Sequence, residues 1–196
     1  MNQTSALCRY LHQRLMGYPL LEWEPAVLTT LPSDFVYFIY ERAEPCHHDC
    51  GGLRVVRVGT HKADLGGPHR IGQHFQGPRS PSIHRTHVHH ARQASLGSSS
   101  DLRSLRFPPD VDRAMDHYFS RTYLFRVIPV QARRERVELE RRAIATIAQC
   151  QVCHGSPDWL GLWSPRPTIR ISGLWNVHLV NGQPFLRVDE IDEFIT

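Results

Sequence analysis

Asp34-Phe-Val-Tyr-Phe-Ile-Tyr40 is followed, after a turn-rich gap, by Leu53-Arg-Val-Val-Arg-Val-Gly-Thr-His61. The first run carries apolar or aromatic side chains on both alternating faces, as a strand covered on both sides requires. The second is β-rich and stops at Gly59. Glu41 to Gly52 holds Pro45 and Gly51-Gly52, which predicts a hairpin connection.

Downstream, His69-Arg-Ile-Gly-Gln-His-Phe75 predicts a helix from Pro68 to Phe75, with Arg70 and His74 on one face. Gly72 weakens it by about 1 kcal/mol against alanine. Ser82 to Gln93 reads as a short helix in an otherwise loop-like stretch, Gln76 to Ser104. Pro108 to Ser120 reads as helix and Thr122 to Val130 as the third strand. Arg133 to Gln149 is the long helix, and Gly155 to Pro167 a loop with two tryptophans. Thr168 to Ile171 suggests a short strand, and Asp189 to Ile195 a last helix. Upstream, Leu7, Leu11 and Leu15 predict a helix over 5–16, capped by Thr4 or Ser5 and closed by Pro19.

The expected fold is α/β of the α+β type: a small three-stranded antiparallel sheet flanked by helices. The 196 residues suit a single domain, with a helical leader (1–33) and a loop-rich tail (150–196). Hydrophobic residues at 41% and charged residues at 21% are globular proportions. A net charge of +4, with 13 histidines, is compatible with a polyanionic partner. No apolar run approaches the roughly 18 residues of a membrane span. The start lacks a secretory pattern, so a cytoplasmic location with reduced thiols is expected. Phosphate-binding loop, dinucleotide GxGxxG and GxSxG patterns are missing.

The order strand, strand, helix with arginine, helix with glutamate resembles the GIY-YIG nuclease family. Phe35-Val36-Tyr37 stands where the family has glycine, an aliphatic residue and tyrosine. Arg57-Val58-Gly59 stands where it has tyrosine, an aliphatic residue and glycine, so arginine replaces the tyrosine. Arg70 and His74 match the helix that follows. Leu139-Glu140 matches the glutamate-bearing helix, and Asn176 in Ser172-Gly-Leu-Trp-Asn-Val177 the later asparagine. The resemblance covers about residues 34 to 180. It implies a metal-dependent endonuclease acting on DNA, with Mg²⁺ or Mn²⁺ as cofactor.

The chemistry asks for these residue types. Phosphodiester hydrolysis needs an activated water, counter-charge for the phosphate and help for the leaving oxygen. Mg²⁺ takes one or two carboxylates, so Glu140 alone is sufficient. Arg70 can clamp a phosphate oxygen. Tyr37 is the candidate base, given a nearby cation. His74 can bind phosphate or relay the proton, and Asn176 would position Tyr37 or the metal's water. Arg57, His61 and Lys62 are candidate substrate contacts. So are Arg85 and His87, in a histidine-rich segment read as a basic loop touching phosphates.

The five cysteines leave a further choice open. Cys46 and Cys50, with Cys150 and Cys153, form two close pairs that would make a structural zinc site if they met; otherwise they are free thiols. Two further functional readings follow. One is a nucleic-acid-binding relative with impaired catalysis, consistent with Arg57. The other is a zinc-stabilised interaction module. Cutting both strands of DNA would favour a homodimer.

Overall fold

A computed structural model describes residues 2–49, 51–61, 65–76, 82–98 and 107–195. Strand β1 (Phe35–Pro45) is the middle of a three-stranded antiparallel sheet, flanked by β2 (Leu53–Gly59) and β3 (Tyr123–Pro129). Helices α1 (Gln3–Leu15), α2 (Gly66–Phe75), α3 (Ile83–Ser95), α4 (Pro109–Thr122), α5 (Arg133–Ala148), α6 (Pro167–Ser172) and α7 (Val188–Phe194) surround it. The fold is α+β with an open antiparallel sheet, as the sequence predicts.

Both sides of β1 are buried, and its alternation sorts them into two cores. Val36, Phe38 and Tyr40 face one with α1 and α5, through Leu11, Leu15, Leu139 and Ile144. Phe35, Tyr37 and Ile39 face the other, with Ile71 and Phe75 of α2, Val88 of α3 and Phe119 of α4. A bulge shifts the β1–β2 pairing: Ile39 pairs with Arg57, but Tyr40 pairs with Val55. The extra residue is Val56. This places Val55 and Val58 in the first core and Val56 in the second.

The outer sides of β2 and β3 meet non-strand chain. Leu21 exchanges two backbone hydrogen bonds with Phe125 of β3, at 2.8 and 3.0 Å. The Trp175 N–H donates to the Val56 carbonyl of β2 at 2.8 Å.

Several local expectations are corrected. β1 runs past Tyr40 to Pro45, so the connection is shorter than the span from Glu41 to Gly52. Asn2, rather than Thr4 or Ser5, caps α1 by accepting the Ser5 N–H at 2.9 Å. Its buried stripe is Ser5, Cys8, Leu11, His12 and Leu15, with Leu7 only half-buried. Thr168 to Ile171 is not a strand but the body of α6. Pro167 starts that turn and Gly173, at φ 68°, ends it in the left-handed region. The segment around the histidines is α3, as the helix read over Ser82 to Gln93 predicts, and not a basic loop touching phosphates: His84, Arg85, His87 and His90 are all buried. Gly155 to Pro167 includes a 3₁₀ turn at Leu160–Trp163, packed against α3. Among the described residues, no helix is long and apolar enough to cross a membrane.

Candidate active site

The end of β2, the start of α2 and one face of α5 enclose a cleft of about 570 Å³. Arg70 and Glu140 both line it, with Thr60, His61, His69 and Arg133. The Arg70 Nη1 donates to Gln73 Oε1 at 2.7 Å, one helical turn away, which steadies the guanidinium. Glu140 Oε1 accepts the Thr60 N–H at 3.2 Å. Burial raises the Glu140 pKa above the usual glutamate range, while the charge of Arg57, the Thr60 N–H and the charge of Arg70 oppose that rise.

Tyr37 and His74 lie one layer deeper. The Tyr37 hydroxyl is 2.8 Å from His74 Nε2, and His74 Nδ1 is 2.7 Å from Ser82 Oγ. Burial, and then the charges of Arg70 and Arg57, hold the His74 pKa well below the imidazole range. The ring is therefore neutral at pH 7. With its proton on Nδ1, it donates to Ser82 and accepts from the Tyr37 hydroxyl. Ser82 also caps α3, so the cap that starts the helix orients the imidazole too.

Gly59 makes room for the phenol. A Cβ at Gly59 would lie 2.1 Å from the Tyr37 hydroxyl oxygen and 2.3 Å from Cζ. The demand is for space, since the backbone there is ordinary strand. Gly59→Ala should destabilise the fold by about 1–3 kcal/mol, as an overpacked core does. Urea unfolding checks the loss; an unchanged midpoint would mean that the ring is free to retreat.

Arg57 is turned inward. Its Nη1 donates to the Trp175 carbonyl at 2.9 Å, and it hydrogen-bonds the Tyr37 side chain. It is buried and does not line the cleft, which corrects its expected role as a phosphate contact. Asn176 joins the tail to β2: its Nδ2 donates to the Val58 carbonyl at 2.9 Å and its Oδ1 accepts the Val58 N–H at 3.1 Å. That peptide leads into Gly59, so Asn176 reaches Tyr37 through the backbone.

His61 lines the cleft, and its Nε2 is 3.1 Å from Asp34 Oδ1, a carboxylate that Arg136 also holds at 2.7 Å. Lys62 lies outside the described residues. Arg85 is corrected from substrate contact to interior strut: it is buried and ion-paired to Asp112 at 3.2 Å and Asp116 at 2.7 Å. His87 is corrected likewise, for it is buried and burial pushes its pKa down to about 4. The sequence reading missed Ser82, Gln73 and Arg133. Ser82 alone had a local signal, as a serine opening a predicted helix.

His84 sits beside this site among Phe119, Tyr123, Trp175 and His74, at ring separations of 5.0, 5.1, 6.0 and 5.7 Å. Neither ring nitrogen has a hydrogen-bond partner among the described residues. Burial first, then neighbouring positive charge, holds its pKa well below the imidazole range. A histidine kept neutral in the folded chain contributes stability that is present above the unfolded pKa, about 6.5, and lost below it. His84→Phe should therefore stabilise the protein by about 1 kcal/mol at pH 7. The gap should widen by about 1 kcal/mol at pH 5.5. Denaturation of both proteins at the two pH values checks this, and a gap that narrows would contradict it.

A second polar cluster lies on the far side of the sheet. Cys8, His12, His48 and Cys153 are buried with ligand atoms within 4.8 Å of one another, an arrangement that could hold a metal ion. Cys150 Sγ lies 3.5 Å from His48 Nε2, and Cys46 hydrogen-bonds Cys153. Cys50 lies outside the described residues. Of the two cysteine pairs, Cys46, Cys150 and Cys153 do meet, joined by Cys8 and two histidines.

A family model described as GIY-YIG domain matches residues 1–188. The chain belongs to the GIY-YIG family. No curated protein and no solved structure matches it significantly. GIY-YIG proteins are generally endonucleases, which indicates a nuclease-type function here. On the GIY-YIG sheet, Tyr37 on β1 pairs directly with Gly59 on β2, so the two short motifs meet side by side.

Proposed function

We propose that this chain is a metal-dependent endonuclease that hydrolyses DNA phosphodiester bonds in the cleft between β2, α2 and α5. The observation that carries this is the convergence of Arg70 and Glu140, from helices far apart in sequence, on one cleft. The reading takes residues 1–196 as one domain with a helical leader and a loop-rich tail.

The cleft fits a hard divalent cation. Glu140 offers a carboxylate at its wall, and Mg²⁺ typically needs only one or two, filling its shell with water and phosphate oxygens. Glu140 would hold the Mg²⁺ or Mn²⁺, which when bound supplies Lewis-acid stabilisation of phosphate charge. Arg70 binds a non-bridging phosphate oxygen, and Arg133 and His69 add positive potential along the path of the backbone. Tyr37 is the base for the attacking water. Its hydroxyl lies against Gly59, one peptide from the Thr60 N–H that Glu140 accepts. The Tyr37 oxygen takes the water's proton in its anionic form, which the Arg57 guanidinium hydrogen-bonded to it favours, and the departing 3′ oxygen takes a proton from solvent. Asn176, His74 and Arg57 act as positioning residues around the phenol.

A second reading keeps the groove and loses turnover. It is favoured by the burial of Tyr37, only 1% exposed, and by Arg57 in place of a tyrosine. Plasmid cleavage by the purified chain with Mg²⁺, Mn²⁺ or EDTA separates the two. Nicking that needs metal supports the nuclease. Salt-sensitive DNA binding with no nicking on supercoiled, linear or branched DNA supports the binding protein.

A further inference from the structure

We propose that Cys8, His12, His48 and Cys153 hold one structural zinc ion that fastens α1 to the β1–β2 turn and to the chain after α5. This site is separate from the cleft and does not depend on the nuclease reading.

The donors come from three segments that are distant in sequence. Cys8 and His12 are four apart on the buried stripe of α1. His48 lies in the turn between β1 and β2, and Cys153 follows α5. All four are buried, and each offers one ligand atom within 4.8 Å of the others. A tetrahedral ion with bonds of about 2.3 Å to sulfur and about 2.0–2.1 Å to nitrogen gives sulfur–nitrogen edges of about 3.6 Å. His12 Nε2 and Cys153 Sγ are 3.7 Å apart.

The surroundings are those of a ligand set rather than of buried apolar cysteines. His12 Nδ1 lies 2.9 Å from the Cys8 carbonyl. That contact fixes the proton on Nδ1 and leaves the Nε2 lone pair for the ion, the usual outer support of a metal-bound imidazole. The Val55 N–H approaches the same Nε2 at a longer 3.3 Å, a contact that the ion would replace. Cys150 Sγ accepts the N–H groups of Val152 and Cys153 at 3.4 and 3.3 Å and donates to Ser5 Oγ at 3.6 Å. Cys150 thereby steadies both the turn that carries Cys153 and the facing His48. Cys8 hydrogen-bonds Cys150 and Cys153.

The test uses the full chain, expressed with zinc and purified under reducing conditions. One zinc per chain is expected by elemental analysis. Chelator should remove it and lower Tm by more than about 10 °C. Titration of the metal-free chain with Co²⁺ should give a tetrahedral spectrum of two thiolates and two imidazoles. Cys153→Ser and His12→Ala should each lower the zinc content, whereas Glu140→Ala should leave it at one. If a variant fails to fold, the Co²⁺ spectrum of the unaltered chain still decides. Three thiolates in that spectrum would overturn this ligand set, with Cys150 in place of one histidine. Metal-free protein with an unchanged Tm under chelator, or a disulfide among these cysteines in the purified chain, would overturn the site.

Discussion

Glu140→Ala is expected to cut metal-dependent cleavage by on the order of 10³-fold or more while leaving the fold intact. The effect on rate is large because one carboxylate carries the assigned metal contact. The effect on stability is small, and its sign can be argued. Burial holds the Glu140 pKa above the ordinary glutamate value. A carboxyl raised in the folded state makes its charged form a burden at neutral pH, relieved as pH falls toward the unfolded pKa. Alanine removes that burden and has the higher helix propensity. It forfeits the acceptor for the Thr60 N–H, about 1 kcal/mol. The Tm should therefore shift by only a few degrees while cleavage disappears. Glu140→Gln keeps the size and the Thr60 acceptor, so it should lose cleavage with even less change in Tm. Cleavage that persists in both variants would sink the site assignment. Cleavage lost together with the fold would assign Glu140 to stability instead.

Glu44→Ala should be the most destabilising of the charge deletions, by about 3–5 kcal/mol. The Glu44 and Arg54 side chains are 2% and 0% exposed, paired at 2.8 Å. Arg54 also donates to the Gly173 carbonyl and lies over the Trp159 ring, 4.8 Å from its centre. Glu44 accepts the Ser156 N–H at 3.0 Å and the Ser156 hydroxyl at 2.6 Å. Removing the carboxylate strands a buried guanidinium and two donors together. One compensation sits nearby. Glu41 is pushed up to about 7 by burial and by the charge of Glu44. Without Glu44, it ionises more readily and offers Arg54 a poorer partner, which favours the lower half of the range. At about 2–4 °C per kcal/mol for a chain of this size, Tm should fall by about 10 °C. The double change Glu44→Leu with Arg54→Met should recover much of the loss, because well-packed apolar residues replace a buried pair at little cost. A double variant no better than Glu44→Ala would show that the contacts to Gly173 and Ser156 matter more than the charges.

These cases show what the sequence made legible. Phe35 to Tyr40 announces itself as a run apolar on both faces, Leu53 to Gly59 by its β-branched residues and Arg133 to Gln149 by its helical pattern, and all three are elements of the fold. Thr168 to Ile171 misleads because threonine and isoleucine favour strands. Pro167 and Gly173 decide the matter from the ends, as the start and stop of a helical turn. Arg70 and Glu140 are readable as a motif and do share a cleft. Arg57 and Arg85 are not, for nothing local says whether an arginine faces water. Arg85 is interior because α4 presents Asp112 and Asp116 to it, and that meeting exists only in three dimensions. The cysteine pairs were visible, but their partners Cys8 and His12 were hidden inside an ordinary amphipathic pattern.

The contacts of Leu21 with Phe125 and of Trp175 and Asn176 with β2 have a consequence for association. A three-stranded sheet has two open flanks, each a row of backbone donors and acceptors ready to recruit a strand from another molecule. Here the chain leading into β1 seals part of one flank and the tail after α6 seals part of the other. A chain cut short before Trp175 would bare the flank of β2 and should aggregate through it. Two intact copies brought together would meet most readily through helices and loops, with each sheet kept to itself.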